Sequence, residues 1–282
     1  MKTAVVTDST AYLTQEERAH YNIHIVPLSV NLEDGTYEEE ITITAPEFYE
    51  KVRHAKQFPK TTQPPIGKFV ELFEKLAKDY DEVVTIHLSS GISGTYQGAV
   101  QAGDMVEDIE VYAFDSEIAC APQGMFVIEA AKMAQQGASA KEIMAKLEAL
   151  KVTMNAYFIV DDLAHLQRGG RLSAAAALIG GLLQVKPVLH FVDKKIVPFE
   201  KIRTRKKALR RVEELLKGAT EQYDQLQAVI IHGNCETEGR AWMEQLQKDF
   251  PTVDFKFSYF GPVIATHLGE GAIAMGWMKK ED

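Results

Sequence analysis

Short β-branched runs alternate with helix-spaced apolar positions through the first half of the chain. Ala4-Val5-Val6-Thr7, Ile23-His24-Ile25-Val26, Val83-Val84-Thr85-Ile86 and Val111-Tyr112-Ala113-Phe114 read as buried strands. Phe69, Phe73, Leu76 and Ala77 recur at helical spacing, as do Ile143, Met144, Leu147 and Leu150. A parallel neighbour needs a crossover, and a helical crossover covers a sheet face, so this alternation predicts a mostly parallel sheet flanked by helices.

The second half carries a different pattern. Residues 157–160, 185–192 and 196–202 read as strands, with Asp193-Lys194-Lys195 as a hairpin turn between the last two. Helical patterns cover 205–217 and 237–250, with a strand at 228–232 between them and another at 255–259. Adjacent strands followed by helices predict an α+β domain. The fold class is therefore α/β with two domains, residues 1–154, an α/β domain, and 155–282, an α+β domain. A chain of 282 residues fits two domains of ordinary size.

Charge and cysteine content narrow the function classes. The formal net charge is −9 and the pI about 5.5, so nucleic acid would be repelled unless a local basic patch compensated. Cys120 and Cys235 lie far apart, with no metal-ligand spacing around either, and read as ordinary thiols of a reducing compartment. Asp8 interrupts the apolar stretch that a signal peptide would need. The longest nearly apolar run, 172–183, is shorter than the roughly 20 residues of a membrane span. A cytoplasmic protein without integral membrane association or nucleic-acid partner is expected.

Three polar turns follow three predicted strands: Asp8-Ser9-Thr10, Ser89-Ser90-Gly91-Ile92-Ser93-Gly94-Thr95 and Asp115-Ser116. In an open parallel sheet all three fall at the carboxyl edge, where ligands bind. Hydroxyls, glycines and a helix start suit a small anion there, although an Asp-Ser after a strand also serves as a plain cap. Thr61-Thr62-Gln63-Pro64-Pro65 reads as a proline-stiffened helix start. His267 lies in a glycine-bracketed segment after a strand. Gln167-Arg168-Gly169-Gly170-Arg171 is a basic turn before a small-residue run, 174–181, that suits a close-packed helix or the wall of an apolar tunnel.

Neither a nucleotide loop nor a hydrolase elbow is present. The glycine loop lacks the Gly-Lys-Ser/Thr ending of a phosphate loop, and no Gly-x-Gly-x-x-Gly follows the first strand. Gly94 comes one residue too early for Gly-x-Ser-x-Gly. A hydrolase or acyltransferase using Ser93 and His267, with Asp115 as third member, stays open. No cofactor is expected.

Taken together, these segments resemble the DegV family. Asp8-Ser9-Thr10, Thr61-Thr62-Gln63-Pro64, Ser89 to Tyr96, Asp115-Ser116, Leu166 to Arg171, Lys186-Pro187, Arg203 to Lys207 and Gly261-Pro262-Val263-Ile264 keep the family's order from end to end. The resemblance implies a long-chain fatty acid buried between two domains. It further implies that the chain presents the carboxylate to a separate ATP-dependent fatty acid kinase subunit, whose acyl-phosphate product feeds phospholipid synthesis. Thr62 and Ser93 match the hydroxyls that bind the carboxylate, with Thr61, Gly94 and His267 beside it. Arg171 and Arg203 match kinase-docking positions. A lipid store or sensor without a kinase is the other binding role. Tyr12 departs from the acidic residue of many members, and Ala265 and Glu270 interrupt the usual spelling around His267. These departures bear on head-group geometry rather than ligand class.

Overall fold

In the computed structural model, which describes residues 1–172 and 186–281, the four strands predicted in the first half form one parallel sheet. β1 (Thr3–Asp8), β2 (Ile23–Val26), β6 (Glu82–His87) and β7 (Glu110–Asp115) lie in the order β2-β1-β6-β7. Side chains alternate between the faces. Ala4, Val6 and Val83 meet Phe69, Phe73, Ala99 and Ala102 of α3 (Ile66–Leu76) and α4 (Thr95–Gly103). Val5, Val84 and Ile86 face α5 (Ala121–Gln135) and α6 (Ala140–Lys151).

A mixed sheet of six strands follows, in the order β10-β9-β8-β13-β11-β12. Its members are β8 (Asn155–Ile159), β9 (Val188–Val192), β10 (Lys195–Glu200), β11 (Leu226–His232), β12 (Val253–Tyr259) and β13 (Ile273–Lys279). β11 and β12 pair in parallel, and the other neighbours are antiparallel. Phe158, Leu189, Ile231 and Ala274 join the core that contains α5 and α6. On the opposite face, Ile159, Val188, Ile230 and Trp277 pack under α8 (Arg205–Thr220) and α9 (Glu236–Asp249). The layers run helix, sheet, helix, sheet, helix, and the middle pair of helices touches both sheets.

That middle layer explains why α5 escapes a periodicity search. Met125, Phe126, Val127, Ile128, Ala130 and Ala131 are all buried, so the apolar positions run all round the helix and polar residues at helical spacing, Glu129, Lys132 and Gln135, come only in its second half. A three-stranded antiparallel sheet that the sequence pattern does not predict, β4-β3-β5, is built from β3 (Ser29–Leu32), β4 (Gly35–Glu38) and β5 (Lys60–Thr62). Thr61 and Thr62 are thus strand residues, not the start of the following helix. The predicted hairpin is present as a two-residue loop, Asp193 and Lys194, with φ of 47° and 69°. Two positive φ values are the signature of a type I′ turn, whose twist matches the flanking strands. Among the described residues, no helix is long and apolar enough to cross a membrane. The small-residue run 174–181 and the start of the strand predicted at 185 lie outside the described residues.

Candidate functional site

A cavity of about 330 Å³ lies against the mixed sheet, beside the loop that follows β6 and the small sheet, a volume within the range of small-molecule sites. Most of its wall is apolar, including Leu28, Leu88, Ile118, Phe158, Phe191 and Phe260. The polar part consists of Thr61, Thr62, Gln63, Ser93, Arg171 and His267, with Gly94 beside them. Residues far apart in sequence, from the small sheet, the glycine loop and α10 (Pro262–Leu268), therefore meet at one place.

Backbone pairing sets the threonines. Thr61 and Thr62 lie opposite Val30 and Ser29 of β3. The Thr61 hydroxyl is 2.9 Å from His267 Nε2. His267 reaches it because Gly169 has no side chain, since a Cβ there would lie 2.2 Å from Nδ1. Nδ1 has no hydrogen-bond partner among the described residues. A buried lone pair left unpaired is tolerated better than a buried N–H. We therefore assign the ring proton to Nε2, donating to Thr61, which leaves the Thr61 hydroxyl hydrogen for a ligand. Burial, followed by the charges of Arg171 and His165, pushes the His267 pKa down to about 3, so the ring is neutral near pH 7.

The loop after β6 holds Ser93 by a chain of local bonds. Ser89 N–H donates to the Ile118 carbonyl, and the Ile92 and Ser93 N–H groups return to the Ser89 carbonyl. Ser90 donates through both N–H and hydroxyl to Asp115. Ser93 Oγ lies 2.8 Å from Thr95 Oγ1 at the start of α4. Gly94 lets the Gln63 side chain lie close, because a Cβ would sit 2.1 Å from Gln63 Oε1 and push that side chain aside. Arg171 is half-buried and donates through Nε to the Ile92 carbonyl at 3.0 Å and through Nη1 to the Gly169 carbonyl at 2.7 Å.

Several sequence expectations change at this point. Of the three polar turns at the sheet edge, the glycine loop lines the cavity, whereas Asp8-Ser9-Thr10 and Asp115-Ser116 do not. Asp8 is wholly buried and bonded to His87 Nδ1, the Leu88 N–H and Gln123. Burial raises its pKa, but the bond and charge of His87, with bonds from Thr10 and Leu88, leave it below the ordinary value. His87 Nε2 in turn lies 2.6 Å from Thr85 Oγ1. This Thr-His-Asp chain has the connectivity of a triad, yet all three residues are inaccessible, so it acts as scaffold.

The Ser93/His267/Asp115 triad is not assembled. Ser93 bonds to Thr95, His267 to Thr61, and Asp115 to Ser90 and Lys194. Arg203 is exposed and outside the cavity lining, in contrast to Arg171. Gln63 and Ile92 line the cavity without having been singled out, since their role depends on contacts from other segments. The three departing positions also lie off the polar ring. Tyr12 packs on Gly261 and bonds to Glu39, Ala265 is buried within α10, and Glu270 pairs with Arg53.

Residues 2–280 match the DegV family of uncharacterised proteins. Protein DegV of Bacillus subtilis is 53% identical over 281 residues, covering 99% of this chain and all of the relative. The crystal structure of that DegV, described as a fatty acid binding protein, superimposes with a TM-score of 0.94 over 99% of this chain and 100% of its own. A stearic acid-binding protein of Eubacterium ventriosum, 27% identical, gives a TM-score of 0.90 over 99% of this chain and 98% of its own.

Proposed function

The chain belongs to the DegV family, and we propose that it binds a long-chain fatty acid in this cavity, between its two domains, and presents the carboxylate to a separate ATP-dependent kinase. The observation that carries this reading is the cavity itself: apolar over most of its wall, with hydroxyls, an arginine and a neutral histidine gathered at one part. Each buried methylene contributes about 0.8 kcal/mol. A carboxylate buried bare would be costly, but Thr62 and Ser93 hydroxyls can donate to it, with Thr61 oriented by His267. On this reading the chain has two domains, 1–154 and 155–282, acts in the cytoplasm where ATP is available, needs no cofactor, and leaves phosphoryl transfer to its partner. The acyl-phosphate formed would serve phospholipid synthesis.

Native mass spectrometry with lipid extraction tests the core of this proposal. The purified protein should carry one fatty acid per chain. Thr62→Ala combined with Ser93→Ala should stay folded and lose most of it, since each removed donor to a buried anion costs roughly 1–3 kcal/mol. Wild-type protein that neither yields a fatty acid on extraction nor binds labelled palmitate would overturn the reading.

A further inference from the structure

The Asp8-Ser9-Thr10 turn does not line the cavity, and its Ser9 leads to a different cluster. Ser9 Oγ accepts from the Leu28 N–H at 3.1 Å and lies 2.6 Å from Glu39 Oε2. Tyr12 OH donates to Glu39 Oε1 at 3.0 Å, and the Val263 N–H donates to the same oxygen at 2.7 Å. Glu39 is wholly buried and follows β4 directly. One carboxyl therefore ties together the turn after β1, the small sheet and α10.

Those last two elements supply facing halves of the polar ring. The small sheet carries Thr61 and Thr62, and α10 carries His267, four residues beyond Val263. Between them, the Thr61–His267 bond is the polar contact found. Glu39 does not line the cavity itself, but two of its partners do: Val263, and Leu28, whose carbonyl accepts from the Glu39 N–H at 2.9 Å. A buried group with three hydrogen-bonding partners at a junction of three elements fixes their relative placement more tightly than apolar packing does, because its bonds are directional.

We propose that Glu39 is the positioning residue of the head-group site: through Val263 and the small sheet it holds His267 and Thr61 at bonding distance. The proposal rests on the fatty-acid reading for its ligand, but the Thr61–His267 contact it sets exists without one. A glutamine can replace the glutamate in this role. Its carbonyl oxygen accepts from Tyr12 and Val263, and its amide donates to Ser9 Oγ, whose hydroxyl hydrogen is then free. A leucine fills the space and leaves three polar partners unmatched.

The experiment compares Glu39→Gln with Glu39→Leu in the full chain, measuring palmitate affinity and the ring nitrogen shifts of His267 in fatty-acid-free protein. Glu39→Gln is expected within about twofold of wild type, and Glu39→Leu weaker by about tenfold or more with altered His267 shifts. In a His267→Ala background, Glu39→Leu should cost no more than about twofold further, because the residue it acts through is gone. Should Glu39→Leu fail to fold, Ser9→Ala carries the same test with a loss of about two- to fivefold. Unchanged shifts and affinity in a folded variant overturn the proposal, as do equal losses in Gln and Leu or full additivity with His267→Ala. Wild-type protein that ignores palmitate, while Glu39→Leu still moves the His267 shifts, overturns the fatty-acid reading and leaves the positioning role standing.

Discussion

His267 is held neutral by burial and by the nearby cation Arg171, and this has a measurable pH signature. Its folded pKa of about 3 lies below the ordinary 6.5, so the unfolded chain takes up the proton first as pH falls. The histidine's contribution is therefore flat above pH 6.5 and becomes destabilising below it, by up to about 2 kcal/mol between pH 6.5 and 5. Urea titrations should reveal this slope in the wild type and its absence in His267→Asn. At Gly94, an added methyl would collide with Gln63 Oε1, the movable end of an exposed side chain. Gly94→Ala is expected to fold, to displace Gln63 and to weaken palmitate binding by about two- to tenfold, within the range of one lost hydrogen bond. Thr62, Ser93 and His267 could be singled out in the sequence because their motifs keep a family order. Asp8 and Asp115 share the same signal, a polar residue at a strand's carboxyl end, but face inward to His87 and to Ser90. Which way an edge residue turns is decided by packing that the local spelling does not contain.

The same distinction separates the elements that periodicity reveals from those that it hides. β1 and β6 are short β-branched runs, and α3 has a clear apolar stripe, so each announces itself. α5 does not, because it is covered on both sides by sheets. β5 does not either, being three residues long with a partly exposed pattern. A helix layer shared by two sheets has a thermodynamic consequence. Residues 1–154 and 155–282 should not unfold independently, since the first half alone would expose a face of α5 and α6, and the second the sheet face with Phe158, Ile231 and Ala274 that covers it. Urea unfolding followed by Trp242 and Trp277 fluorescence in the second half, and by hydrogen exchange of β1 and β6 in the first, should give coincident transitions. Phe126→Ala, at a wholly buried position of α5, should lower both together by about 3–5 kcal/mol. Two separated transitions would show that the halves are energetically independent.

At the scale of the whole molecule, an acidic protein carries one concentrated basic strip. Its formal net charge is −9, yet residues 201–211 contain seven basic side chains. Three are engaged: Arg205 with Glu238 and Asp161, Arg211 with Glu200 and Glu214, and Arg210 with Glu214. Lys201, Arg203, Lys206 and Lys207 are exposed and have no ion-pair partner among the described residues. Unpaired exposed charge steers association and sets its salt dependence more than it stabilises a fold. On the proposed kinase reading, this favours the strip as the docking face for an acidic surface of that partner, with Arg203 a free contact. Arg171 differs, because it is half-buried and lines the cavity. The two arginines should therefore separate in one assay. Arg203→Glu should leave palmitate affinity unchanged and reduce kinase-dependent acyl-phosphate formation about tenfold or more at low salt, with the gap narrowing as ionic strength rises. Arg171→Glu should lower both, since a carboxylate placed beside the ligand's own carboxylate repels it. If Arg203→Glu supports wild-type phosphorylation at low salt, or loses palmitate affinity in parallel, the strip is a solvated helix face and the kinase docks elsewhere.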